Sequence, residues 1–328
     1  MLFGLNENTV VMPVEAMEVP AHLAESFTGI AAFGNTQAER LYEEVINAEG
    51  AFSAVLQKGV SSGTLDEACA EVIQEGMLGG YWKKVKDMFE NLWKTVKALF
   101  EKFMAWLDGK VKSDKDFIAK YGETLKNKKD ELKSMEYMGF VWKISSLNKS
   151  IATSITDAIG ELKKDGAEKA AGLGKDVPTV NKEDEIAKGL MEIGKMVGSS
   201  KDTDAEIVAD YNKQLHGGHL EADKLKLNDV TALITAVEKY EEDKKSAEEL
   251  RKAFDEAFKA AISIIEGMKS DWESENNKVH HLAGVHIAVA KAQAALCNRL
   301  VGTYLTALKD RRSEYRGVLA KAVGYKKK

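Results

Sequence analysis

Only three of the 328 residues are proline, at positions 13, 20 and 178. Between Ala21 and Val177, and again from Thr179 onward, nothing removes a backbone donor, so long helices meet no obligatory break. The same shortage excludes proline-rich, collagen-like and mucin-like chains. Cys69 and Cys297 stand alone and far apart, too few for a disulfide framework or a cysteine-rich zinc site. Each lies beside an apolar stripe and is expected to be an inert core thiol. No run of ~18 apolar residues is present to span a bilayer. No residue before Arg40 is basic, whereas Glu7, Glu15, Glu18 and Glu25 are acidic. That is the reverse of a secretory leader.

What is present suits a helical protein with an ample core, since 44% of residues are hydrophobic and 30% charged. The formal net charge of -5 conceals segregation along the chain. Residues 1–80 carry two basic against twelve acidic side chains, and residues 81–149 sixteen against ten. Residues 150–219 carry nine against thirteen, and residues 220–328 twenty against seventeen. Such asymmetry points to separate segments or ordered contacts between them. The expected organisation is an extended acidic arm over 1–35 and an N-terminal helical domain over 36–149. A helical connector over 150–219 and a long αα-hairpin with a basic end over 220–328 complete it.

Within 36–149, one helix is expected from Thr36 toward Leu56. A second opens on the capping box Thr64-Leu65-Asp66-Glu67 and stops at Gly76 to Gly80. Over 81–107, Trp82, Val85, Phe89, Leu92, Val96, Leu99, Phe103 and Trp106 recur at spacings of three and four. Trp93, Phe100 and Leu107 widen the stripe, and Lys83, Lys84, Lys94 and Lys97 lie opposite. This is an amphipathic helix with a broad aromatic face. Trp82, Phe89, Trp93, Phe100 and Trp106 are either core or a face for a partner or membrane interface. A short helix follows over 113–122. Tyr137 to Ile144, aromatic and β-branched, is the one stretch with strand character, enough for at most one short β-hairpin. Between Asn148 and Gly218 glycines separate several helices, one opened by a second capping box, Thr203-Asp204-Ala205-Glu206.

In the last third, a helix capped by Asn228 is expected to reach about Trp272. Its seam is Ala247, Leu250, Phe254, Ala257, Ala261, Ile264 and Met268, a 3.5-residue repeat. After Ser274-Glu275-Asn276-Asn277 a second helix carries Leu282, Val285, Val289, Ala292, Leu296, Leu300, Tyr304 and Leu308. Each has about 45 residues, or ~65–70 Å at ~1.5 Å per residue. The short polar turn makes them antiparallel neighbours, with Leu250, Phe254, Ile264, Leu282, Val289 and Leu296 as the hairpin seam.

Catalytic and metal signatures are weak. His280, His281 and His286 are at intervals that point their rings apart on a helix, unlike HExxH. Gly189 to Lys195 has the spacing of a phosphate-binding loop. It lacks the hydroxyl residue after the lysine and a preceding strand, and reads better as a helical face. The acidic clusters Glu183-Asp184-Glu185 and Glu241-Glu242-Asp243 alternate with lysines as solvated faces do. No nucleophile elbow occurs. The expectation is a non-enzymatic chain with no catalytic residues, metal or cofactor. From Lys309 to Lys328 there are eight basic residues against Asp310 and Glu314. Arg311, Arg312, Arg316, Lys326, Lys327 and Lys328 are the candidates for sequence-independent phosphate contact, hence for DNA, or for an acidic protein surface. No base-reading motif accompanies them.

Ser113-Asp114-Lys115-Asp116-Phe117-Ile118-Ala119-Lys120-Tyr121-Gly122 precedes a Lys-rich helix and then Met135-Glu136-Tyr137-Met138-Gly139-Phe140. This pattern resembles a segment of structural proteins inside the heads of tailed bacteriophages, over about 35 residues. Leu23-Ala24-Glu25 resembles the glutamate-ended sites cut by head-maturation proteases. The resemblance implies a virion component, internal to the capsid or head-associated, made in the host cytoplasm and contacting other virion proteins as an oligomer or on the capsid. From the helical periodicity itself, the expected fold is all-α, helical bundle segments with the long C-terminal antiparallel αα-hairpin and at most one short β-hairpin. The alternative is a membrane-active, pore-former-like helical protein acting through 81–107.

Overall fold

The architecture comes from a computed structural model that describes residues 27–28, 31–32, 34–43, 67–128, 136–137, 147–170, 181–215, 225–226, 234–235, 237–271 and 277–324. Six helices dominate. They are α1 (Glu67–Asn127), α2 (Ser150–Ala170), α3 (Lys182–Met196), α4 (Asp204–Leu215), α5 (Tyr240–Asp271) and α6 (Asn277–Ala322). Shorter helical pieces occupy parts of 27–43 and 234–238. The fold is all-α, as the sequence predicts. Two-residue strands, β1 (Glu136–Tyr137) and β2 (Leu225–Lys226), pair antiparallel. This bridge joins segments far apart in sequence instead of closing a local hairpin. Residues 138–144, where the hairpin was expected to continue, lie outside the described residues.

The 61-residue helix α1 runs unbroken through Gly79-Gly80 and through Ser113-Asp114, where the sequence predicts a stop and a new start. A glycine costs a helix interior only about 1 kcal/mol relative to alanine. Against that stands an apolar stripe in which Phe89, Leu92, Leu99, Phe100, Phe103 and Leu107 are fully buried. Each large side chain removed from water contributes ~1.5–3 kcal/mol, so tertiary burial overrides the local break signals.

Four rods form the centre. Helix α1 packs against α5 and α6, and α2 packs against the same two. Lys86–Glu266, Trp93–Asp255 and Asp108–Lys244 contacts set α1 and α5 antiparallel. Lys149–Glu249 and Thr156–Ala257 contacts set α2 and α5 parallel. Asn298 donates to the Leu92 carbonyl and Arg312 meets Asp114, so α1 and α6 are also parallel.

Helices α5 and α6 run in opposite directions, but among the described residues they stand diagonally across the bundle with α1 and α2 between them. Leu250, Phe254 and Leu296 are buried, and Ile264 is partly buried against the core. They do not form a seam between the two rods. Val289 instead faces α3, where a Cβ on Gly189 would lie 2.8 Å from its Cγ1. Leu282's side chain lies outside the described residues. The physical reason is stripe width. Phe258, Ile262 and Ile265 are buried beyond the heptad positions of α5, and α6 is buried nearly all round, as Ile287, Ala290, Cys297, Val301 and Leu305 show. A helix apolar on every side needs neighbours on every side.

The expected connector is also part of the body. Helix α2 is one of the four rods, and α3 and α4 cover another face of α6. Asn181 caps α3 by accepting from Glu183 N–H at 3.0 Å. Gly198, at φ +77°, ends that turn while Ser199 N–H donates to the Gly194 carbonyl at 2.8 Å. Thr203 donates to the Glu206 carboxylate at 2.6 Å, the second capping box in side-chain form. One continuous core draws on residues from Phe27 to Leu308, across all the expected segments.

Candidate functional site

The aromatic face of α1 is interior. Trp82, Phe89 and Phe100 are buried, and Trp93 and Trp106 are half-buried against the same core. Trp93 Nε1 donates to Asp255 at 2.8 Å, which ties its polar edge to α5. In this fold Trp82, Phe89 and Phe100 face the core, while Trp93 and Trp106 keep part of their surface exposed. Among the described residues no helix is long and apolar enough to cross a membrane.

Three basic side chains near the C-terminus are engaged inside the protein. Arg311, Arg312 and Arg316 on α6 are expected to face solvent phosphates, yet all three point into the protein. The side chain of Arg312 is only 4% exposed and that of Asp114, opposite it on α1, 5%. Arg312 Nε lies 3.2 Å from Asp114 Oδ2, and Arg316 Nε lies 3.3 Å from Asp114 Oδ1. Arg312 Nη2 donates to the Val237 carbonyl at 2.6 Å. Arg311 Nη2 donates to Asp243 Oδ1 on α5 at 2.6 Å. The guanidinium carbon of Arg316 sits 3.2 Å from the centre of the Phe117 ring. Lys326, Lys327 and Lys328 lie outside the described residues.

Helical spacing makes this joint. Asp114 and Phe117, three apart, share a face of α1, and Arg312 and Arg316, four apart, share a face of α6. Parallel packing brings the two faces together at one end of the bundle. There a second apolar cluster of Phe117, Leu125, Ile234, Val237, Tyr315 and Leu319 surrounds them. Burial raises Asp114 above the ordinary carboxylate range, and the Arg312 and Arg316 charges oppose that rise. Burial likewise raises Asp243, against the pull of Arg311. Burial lowers Arg312, with Asp114 and Asp243 opposing. The net direction is set by desolvation, the dominant cost for charges taken out of water.

The crevice between Asp114, Arg312 and Tyr240 is too narrow to hold a water molecule. Arg312 Nη1 has no hydrogen-bond partner among the described residues. The arrangement joins three helices.

Other candidates are placed without chemistry. The Gly189 to Lys195 stretch lies on helix α3. Gly189 lies against Val289 and Gln293, and the Gln293 amide donates to its carbonyl at 3.1 Å. Cys297 is fully buried, its thiol pushed up to about 12 by that burial. Among the described residues no three His, Cys, Asp or Glu side chains converge as metal ligands. Sequence reasoning missed Asp114, Phe117, Tyr240 and Asp243. The available signal was the match of an i,i+3 Asp/Phe pair with an i,i+4 Arg pair. Asp243 sits in a run that reads as a solvated face, but its side chain is only 16% exposed. No family model, no curated protein and no solved structure matches the chain.

Proposed function

We propose that the chain is a structural or assembly component of a tailed-phage particle, held inside the capsid or at the head, acting through helix-mediated protein contacts. One observation carries this reading. The stretch Ser113 to Gly122, which resembles segments of phage head proteins, supplies Asp114 and Phe117 to the joint between α1, α5 and α6. Its characteristic residues serve rigidity, and rigid elongated bundles are what an assembly element needs. The partners are other virion proteins. Contact with DNA phosphates falls to exposed Lys321 and to Lys326, Lys327 and Lys328, because the three arginines are engaged internally.

Mass spectrometry of purified particles tests the main reading. The chain is expected in particles at a fixed stoichiometry to the capsid protein. Its absence from particles while abundant in the producing host overturns the reading. Retention on DNA that falls steeply with salt, and is lost on truncation after Gly324, is the expected sign of phosphate contact. The membrane-active alternative would require α1 to leave the bundle and expose Phe89 and Phe100, both fully buried.

A further inference from the structure

The protein has two separate apolar cores, and a layer of charge divides them. On α1 the main core ends at Val111 and the second cluster begins at Phe117. On α6 the corresponding residues are Leu308 and Tyr315. No residue between these limits on either helix is both apolar and buried. At ~1.5 Å per residue the gap is about 9–10 Å along each helix, whereas apolar side chains touch only within ~4.5 Å.

What fills the gap is Arg312 and Arg316 against Asp114, and Arg311 against Asp243, three guanidinium groups against two carboxylates. Withdrawing such groups from water costs about as much as their attraction returns. The layer therefore adds little adhesion while it holds the two apolar clusters apart. The narrow crevice lined by Val111, Val237 and Arg312 lies at the same level.

The bundle also thins there. Helix α5 begins at Tyr240, whose ring lies under Lys115 and Arg312 at 5.3 and 6.0 Å. Helix α2 begins lower still, where Lys149 pairs with Glu249. Beyond the layer, among the described residues, α1 and α6 share their apolar cluster with Ile234 and Val237 alone. Because the two helices are parallel, their C-terminal ends lie side by side, and like dipole ends repel. Helical segments as short as 115–127 and 313–322 are marginal in water on their own.

We propose that the charged layer is a boundary of cooperativity: residues 115–127 of α1 and 313–322 of α6, with Ile234 and Val237, open as one unit while the main core stays closed. Regions with few buried apolar contacts open below the free energy of global unfolding. Opening lets both partners of each ion pair regain water together, so it avoids the penalty of stranding one charge. It uncovers Phe117, Leu125 and Leu319 together with the Arg316 guanidinium, a surface that the closed form withholds. The four-rod body stays rigid throughout, so the inference does not rest on the virion reading.

Hydrogen exchange of the native full-length chain in rising, sub-denaturing urea, read by mass spectrometry, tests this. Peptides covering 117–125 and 315–322 are expected to share one opening equilibrium and one urea dependence. Their exchange should be roughly tenfold or more faster than that of peptides covering 89–103 and 296–305. Protection that declines residue by residue toward Asn127 and Ala322 marks simple fraying and overturns the proposal. Equal protection on both sides of Asp114 also overturns it, since the two cores would then open together. The triple variant Asp114→Leu, Arg312→Met, Arg316→Met joins the two cores, and its 117–125 exchange should slow toward that of 89–103. A folded triple variant that keeps the native difference overturns the role of the charges. If that variant does not fold, the native chain decides through the position of its protection step.

Discussion

Arg316 stacks its guanidinium on the ring of Phe117, 3.2 Å from carbon to ring centre, while its Nε faces Asp114 on the same helix as that ring. One arginine thus uses both its flat face and its edge against α1. Lysine cannot reproduce this, having a point charge and no planar fork. Arg316→Lys is expected to cost about 1–2 kcal/mol, the range for a partly desolvated cation–π contact. A double-mutant cycle with Phe117→Leu, read by urea unfolding, should show coupling between the two positions. Additive effects would mean the stacking carries no energy of its own.

Asp114 faces both Arg312 and Arg316, at 3.2 Å and 3.3 Å. Removing it leaves a buried guanidinium without its counter-charge. Asp114→Ala is therefore expected to destabilise by ~3–5 kcal/mol. Replacing Asp114 and Arg312 together with leucine and methionine should recover much of that loss, because the surroundings are apolar. Guanidinium chloride midpoints for the single and double variants decide the matter, and equal losses in both would contradict it.

The pH response of the joint has a definite sign. Burial holds Asp114 and Asp243 above the ordinary carboxylate value of 3.8 when folded. Between that value and the folded one, the native state binds more protons than the unfolded chain. Stability from these groups is therefore full below the unfolded value and declines as pH rises through the folded one. The stability of the native chain relative to Asp114→Asn should be greater at pH 3 than at pH 6 in urea titrations. The opposite trend would show that the arginine charges outweigh desolvation.

Phe100 is fully buried and Lys94, on the same helix, is exposed. Phe100→Ala is expected to cost ~3–5 kcal/mol through lost contacts and a cavity, and Lys94→Ala within about 0.5 kcal/mol. Were the aromatic face an external contact surface, Phe100→Ala would leave monomer unfolding unchanged. Circular dichroism during thermal unfolding of the two variants separates these outcomes.

Cys297 should resist iodoacetamide in the folded chain and react only when the bundle unfolds. It is fully buried and its thiol is raised to about 12, leaving almost no thiolate at neutral pH. Labelling at that cysteine under native conditions, followed by peptide mapping, checks this directly.

The sequence by itself determined the helical class and the position of most apolar faces. A near-absence of proline and a spacing of three and four are properties of the chain alone. Trp82 to Leu107 announces its stripe in any context, as do Leu250 to Ala261. Which stripe meets which was not written locally. Whether α1 breaks at Gly79-Gly80 depends on burial distant in sequence, and α5 and α6 stand diagonally because α6 is apolar on all sides and must be surrounded. The basic residues near the end of α6 looked outward for the same reason. A sequence counts charge, but only parallel packing of α1 and α6 places Asp114 and Phe117 opposite Arg312 and Arg316, and charge in a helix takes its role from what the opposing helix presents.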